Sequence, residues 1–158
     1  MDKHYQKIIF ALRVSLGWLF MYAGLSHLLT TGWSAQGYLL SALSFHGFYA
    51  WLASPGIIPF INGLNIWALL LIGFSLIFGA FVRLSAPFGM VLMFLYYLPI
   101  LSFPYVGSTG FLVDEHIIFM LILVLLFESR AGRMWGFDAW TENASFWKKY
   151  PSLRNLLS

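Results

Sequence analysis

Residues 62–103 read NGLNIWALLLIGFSLIFGAFVRLSAPFGMVLMFLYYLPILSF, and Arg83 is the one charged side chain among them. On either side of it runs an apolar stretch of about 20 residues, the length that carries an α-helix across a hydrocarbon layer about 30 Å thick. The sequence therefore predicts a helical hairpin with spans at 62–82 and 84–103 and a tight turn at Arg83. Pro87 falls in the first turn of the second span, where its missing N–H is harmless, and Pro99 is placed to end or kink that span near its far side.

Working outward, two further apolar runs lie at 8–29 and 112–127. Hydrophobic residues make up 60% of the 158-residue chain and charged residues only 9%, with a mean hydropathy of +0.79. A soluble domain carries roughly a quarter charged residues, so the composition places this chain in the lipid bilayer. The expected fold is all-α: an integral membrane four-helix bundle forming a single membrane domain over 1–158. The first run is too long for the apolar core of a signal peptide and reads as a retained span. Cysteine is absent, which excludes thiolate catalysis, disulfide exchange, iron–sulfur clusters and cysteine zinc sites.

The formal charge of +3 does not point to nucleic acid, because the basic residues flank the apolar runs. Lys3, Lys7 and Arg13 precede or enter the first span, Arg83 sits in the hairpin turn, and Arg130, Arg133, Lys148, Lys149 and Arg154 follow the last span. Loops 30–61 and 104–111 hold none. The positive-inside rule then predicts both termini and the Arg83 turn on the cytoplasmic side and the two uncharged loops outside. Residues 38–52, YLLSALSFHGFYAWL, are too short to span and too aromatic for a solvated linker; they predict an interfacial helix in the first outer loop. The tail 129–158 carries FDAWTENASFWKKYP, whose aromatic residues suit the inner headgroup region, and its Asn-Ala-Ser sequon at 143–145 is then on the wrong side for glycosylation.

Helical phase sorts the buried polar residues. Arg13, Gly17, Phe20, Gly24 and His27 fall within about 40° of one stripe of the first span, as Asp114, Leu121, Leu125 and Glu128 do on the last. Each stripe holds two ionisable groups 14 residues apart. If these antiparallel spans are neighbours, Arg13 meets Glu128 as a structural ion pair near the inner side, and His27 meets Asp114 near the outer side, about 21 Å away. An intramembrane carboxylate beside an imidazole serves either to fix helix packing or to move a proton. Glu115 and His116 would point about 100° and 200° away from Asp114 on a regular helix, leaving His116 to reach the outer loop or His46. Gly17, Gly24, Gly73 and Gly79 permit close helix approach. Asn62 and Asn65 stand at the start of the second span as helix caps or as donors to a ligand carbonyl. Consecutive Asp-Glu-His is poor chelating geometry and no HExxH occurs, so no metal is predicted.

Four stretches, RVSLGWLFMYAGLSHL at 13–28, GAFVRLSA at 79–86, VDEHIIF at 113–119 and AGRMWGFDAW at 131–140, together resemble the DoxX/DoxD family of small four-helix membrane proteins. The resemblance implies a multi-pass protein of a prokaryotic cytoplasmic membrane. Its best-understood members are membrane subunits of thiosulfate:quinone oxidoreductase, which work with a second protein subunit. It implies quinone as cofactor or substrate, with Asp114 and His27 as the proton-handling pair, His116, Asn65, Trp67 and Trp33 around the quinone, and Asp138 capping a short tail helix. No residue pattern specifies thiosulfate, and homo-oligomer formation stays open. The competing reading is a non-catalytic anchor or assembly subunit whose buried charges only fix helix register.

Overall fold

The computed structural model describes residues 2–108 and 110–141. Asp2 starts α1 (Lys3–Leu29) by accepting the His4 N–H at 3.2 Å. Two short helices follow, α2 (Gln36–Leu40) and α3 (His46–Leu52), before α4 (Ile58–Phe78), whose Pro59 sits in the first turn. Gly79 ends α4 in the left-handed conformation, φ 67°, which glycine adopts at little cost. After Ala80 and Phe81, α5 (Val82–Ile100) begins and completes the predicted hairpin, with its turn a few residues earlier than expected and Arg83 inside the first turn of α5. The strands β1 (Leu101–Ser102), β2 (Tyr105–Val106) and β3 (Gly110–Phe111) form a small antiparallel sheet in the order β1-β2-β3, and α6 (Glu115–Glu128) and α7 (Phe137–Thr141) follow it.

Of these helices, α1, α4 and α5 are long and apolar enough to cross a membrane. The last apolar run is shorter than the sequence suggested. Asp114 has extended backbone and caps α6, so the helix keeps 14 residues, about 21 Å of rise. The interfacial segment also differs: 38–52 is two helices rather than one, broken at Phe45, φ 54°. The break trades helical bonds for bonds to the end of α5, with Leu43 N–H donating to Pro99 O at 2.8 Å and Ser44 Oγ to Leu101 O at 2.6 Å.

Close packing joins α1 to α4 and α5 to α6, while α4 and α5 link the two pairs. Glycine makes the first contact possible: a Cβ on Gly73 would lie 2.5 Å from Met21 N, and one on Gly17 would lie 2.8 Å from Ile77 N. Leu16, Phe20, Leu69, Leu76, Met93 and Leu123 fill the space between the helices, and a second core of Leu39, Ala42, Tyr49 and Ala53 lies under the α2–α3 segment. Large apolar side chains such as Trp18, Leu71, Phe74 and Phe88 are at least half exposed, as a lipid-facing surface requires.

α1 and α6 touch only lightly, which removes the basis for the predicted ion pair. Arg13 does not meet Glu128. The Arg13 side chain is fully buried and donates through Nη1 to Ala131 O at 2.7 Å and through Nη2 to Trp135 O at 3.4 Å, whereas Glu128 is exposed. Helical phase identified the face of α1 that carries Arg13, but the turn after α6, including a 3₁₀ segment at Ala131–Arg133, folds back and supplies the acceptors. Space is tight there: Gly79 and Gly136 each occupy positions where a Cβ would collide with the Arg13 guanidinium.

Asp138 also works at a distance. Its carboxylate accepts Phe81 N–H at 2.9 Å and Val82 N–H at 3.4 Å, so it caps α5 instead of the tail helix in which it lies. Burial pushes the Asp138 carboxyl upward, opposed by these two N–H groups and by the charges of Arg13 and Arg133. The sequon at 143–145 and Lys148, Lys149 and Arg154 lie outside the described residues.

Candidate functional site

At the end of the bundle opposite the arginines, polar side chains from several elements form one layer. His27, in the last turn of α1, stacks on Trp33 with ring centroids 4.0 Å apart and planes 15° from parallel. Its Nδ1 lies 3.4 Å from Nδ2 of Asn65, a buried residue of α4. Asn65 Oδ1 in turn accepts the Tyr96 hydroxyl from α5. The Tyr96 ring meets the His116 ring edge-on, 6.0 Å between centroids, and His116 Nδ1 is 2.5 Å from Asp114 Oδ2. Tyr38 of α2 donates its hydroxyl to the Tyr96 carbonyl at 2.5 Å, tying the outer segment to this layer.

The local chain explains why Asp114 and His116 face each other. Asp114 Oδ1 accepts the N–H groups of His116 at 3.1 Å and Ile117 at 3.3 Å, satisfying donors that the first turn of α6 leaves open. Its second oxygen is then aimed at the His116 ring. The predicted separation of these two residues assumed that Asp114 was helical; as a cap with extended backbone it obeys no helical phase. Being at a helix N-terminus, its negative charge is also favoured by the helix dipole.

A cleft of about 250 Å³ opens in the gap between α1 and α6. Leu16, Leu19, Phe20 and Ala23 of α1 form one wall, Leu69 and Met93 the floor, and Phe119 the opposite wall. Tyr96, Glu115 and His116 make its polar end. Apolar walls with a few convergent polar groups are the usual makeup of a small-molecule site, although this volume falls at the small end of such sites.

The predicted site residues divide accordingly. His27, Asn65 and Trp33 belong to the polar layer, and His116 lines the cleft with Asp114 behind it. His27 and Asp114 do not bond to each other; Asn65 and Tyr96 stand between them in the chain of contacts. Trp67 is 61% exposed and lines no part of the cleft. His46 is exposed at the start of α3. Neither asparagine caps α4, which begins before both: Asn62 instead accepts the Ala35 N–H at 2.9 Å and donates to Ser34 Oγ at 3.1 Å. Tyr96 and Tyr38 were missed. The signal was the hydroxyl-bearing Tyr96-Tyr97 pair inside an otherwise apolar helix, since a buried Tyr O–H needs an acceptor. Among the described residues no three His, Cys, Asp or Glu side chains are grouped to hold a metal ion.

Helices α1, α4 and α5, with a polar layer at one end, describe a membrane protein that has a small cleft between its helices. The DoxX family model matches residues 8–100, and the chain belongs to that family. α6 and the closing AGRMWGFDAW stretch lie beyond the matched residues. No curated protein and no solved structure matches the chain.

Proposed function

We propose that this DoxX-family protein is a quinone-interacting membrane subunit, with the ring of the quinone held in the cleft between α1 and α6 and its tail lying in lipid. The single observation that carries the reading is the cleft itself: apolar walls ending at Tyr96, Glu115 and His116 within a layer of hydrogen-bonding side chains. The residues suit such a group. A volume of about 250 Å³ accommodates a ring but little of its tail, and the gap between α1 and α6 leads from it toward the lipid-exposed Leu19. A bound quinone would supply two-electron redox chemistry that consumes or releases protons.

The chain's own residues would bind and orient that ring and manage the protons. With Nδ1 engaged by Asp114, His116 has Nε2 left for the polar end of the cleft, where a neutral ring would accept the hydroxyl of a quinol and a protonated ring would donate to a quinone carbonyl. Asp114 holds the imidazole in one orientation, so that the ring would give up or take up a proton at Nε2. Glu115 is exposed at the same end, in a position to exchange protons with the surroundings. The donor that the family resemblance suggests is a sulfur compound such as thiosulfate; with no cysteine in the chain to hold a thiol or iron–sulfur centre, its electrons would reach the quinone through a partner subunit.

The test is binding of a short-chain quinone to the purified protein in lipid nanodiscs, measured by calorimetry for the wild type and for Ala23→Phe, which fills the cleft from α1. Saturable binding that Ala23→Phe abolishes supports the reading. Absence of binding, or equal binding by a well-folded Ala23→Phe protein, overturns it.

A further inference from the structure

The helices share one measurable level. A Cβ built on Gly89 of α5 would lie 3.0 Å from Leu123 of α6 and 3.5 Å from Ile72 of α4, and Gly73, next to Ile72, abuts Met21 of α1. Counting 1.5 Å per residue from that level, Arg13, Val82 and Glu128 lie about 8–12 Å toward the arginine end. In the opposite direction α1 stops at Leu29 and α6 at Glu115, both about 12 Å away, while α4 continues to Ile58 at about 21 Å. A hydrocarbon layer about 30 Å thick that starts at the arginines therefore extends some 6–10 Å past the ends of α1 and α6.

The elements that occupy this remaining depth are α2, α3 and the β-sheet. Residues 30–57 and 101–113 contain no Lys, Arg, Asp or Glu. Their outward face shows Leu43, Phe45, Trp51, Phe103, Tyr105 and Phe111, with Phe103 79% exposed. Non-helical backbone survives at membrane depth only when its polar groups find internal partners. Here they do: beyond the strand pairing, Gly107 N–H donates to Ile100 O, Leu112 N–H to Pro104 O, both at 3.0 Å, and Tyr97 Oη to Leu112 O at 2.7 Å.

We propose that α2, α3 and the β-sheet form a roof immersed in the leaflet at the uncharged end, its aromatic face against lipid chains and the glycerol region instead of water. The polar layer of His27, Asn65, Tyr96, His116 and Asp114 then lies beneath a lipid-embedded cover. This inference rests on helix register and charge distribution, and stands whether or not the cleft binds a quinone.

Because the chain has no native cysteine, single-cysteine variants report depth cleanly. Leu43→Cys and Phe103→Cys, with Lys7→Cys as the aqueous control and Tyr105→Cys in reserve should either fail to purify as a monodisperse protein, would be spin-labelled in phosphatidylcholine nanodiscs. The expected result is severalfold greater collision with oxygen than with a water-soluble nickel chelate at both roof positions, and the reverse at Lys7→Cys. Greater collision with the nickel chelate at the roof positions puts the face in water and overturns the proposal. Low collision with both probes means that a second copy of the chain covers the face, which also overturns it.

Discussion

The two ends of the bundle handle buried polar groups in opposite ways. At the arginine end, Arg13 bonds to the carbonyls of Ala131 and Trp135, and Asp138 bonds to the N–H groups of Phe81 and Val82. Backbone partners cannot be exchanged without moving the chain, so these side chains hold the closing turn onto α1 and the α4–α5 connection. At the opposite end the polar layer links side chain to side chain, His27 with Asn65, Asn65 with Tyr96 and His116 with Asp114, although Asp114 also caps α6. Side chains can re-pair by rotating, and three of the polar ones border a cleft. The contrast separates residues that fix the fold from those to which we assign the proposed quinone site.

Substitutions at the first end should therefore cost the most stability. Arg13→Leu removes two charge-assisted hydrogen bonds, to Ala131 O and Trp135 O, and one of the two arginine charges near Asp138, a loss of about 3–5 kcal/mol at roughly 1.5–3 per bond, read as a large fall in the chemical-denaturation midpoint in micelles; a near-neutral result would erase the contrast. Gly73→Ala forces a methyl against Met21 N and should cost about 1–3 kcal/mol by overpacking, measured in the same way. Asp138→Ala removes the cap of α5 and should cost about 1–2 kcal/mol. Helix signal lost specifically near Phe81, followed by hydrogen exchange, would sharpen the assignment of its partner. The smallest effect belongs to Glu128→Gln, within about 0.5 kcal/mol, because that carboxylate is exposed and does not pair with Arg13.

The apolar lengths and single-charge connection around Arg83 made the α4–α5 hairpin and the first span legible in the sequence, and the glycines marked faces open to close helix approach without naming the neighbour. Legibility ended where neighbours had to be chosen. Helical phase puts Arg13 and Glu128 on definite faces, but only tertiary packing decides that α1 lies on α4 and that the chain after α6 turns back to meet Arg13. Capping was the second gap. A residue that caps a helix leaves the helical wheel, so the phase rule separated Asp114 from His116 where the structure brings them together. His27 and Asn65 stood out as polar groups among apolar runs and join the polar layer, though neither lines the cleft; Tyr96 was passed over because an aromatic ring in such a run reads as packing, and its hydroxyl carries the link between Asn65 and the His116 side of the layer.

The most direct measurement of the proposed ligand-engaging role of the polar layer is the thermal unfolding of wild type and Asp114→Asn, each with and without saturating short-chain quinone. Asparagine still caps a helix but removes the charge behind His116. Quinone should raise the midpoint of the wild type through selective binding to the folded state. Asp114→Asn without ligand should unfold close to the wild type and lose most of that ligand-induced rise. An equal rise in both proteins, or none in either, would contradict the account.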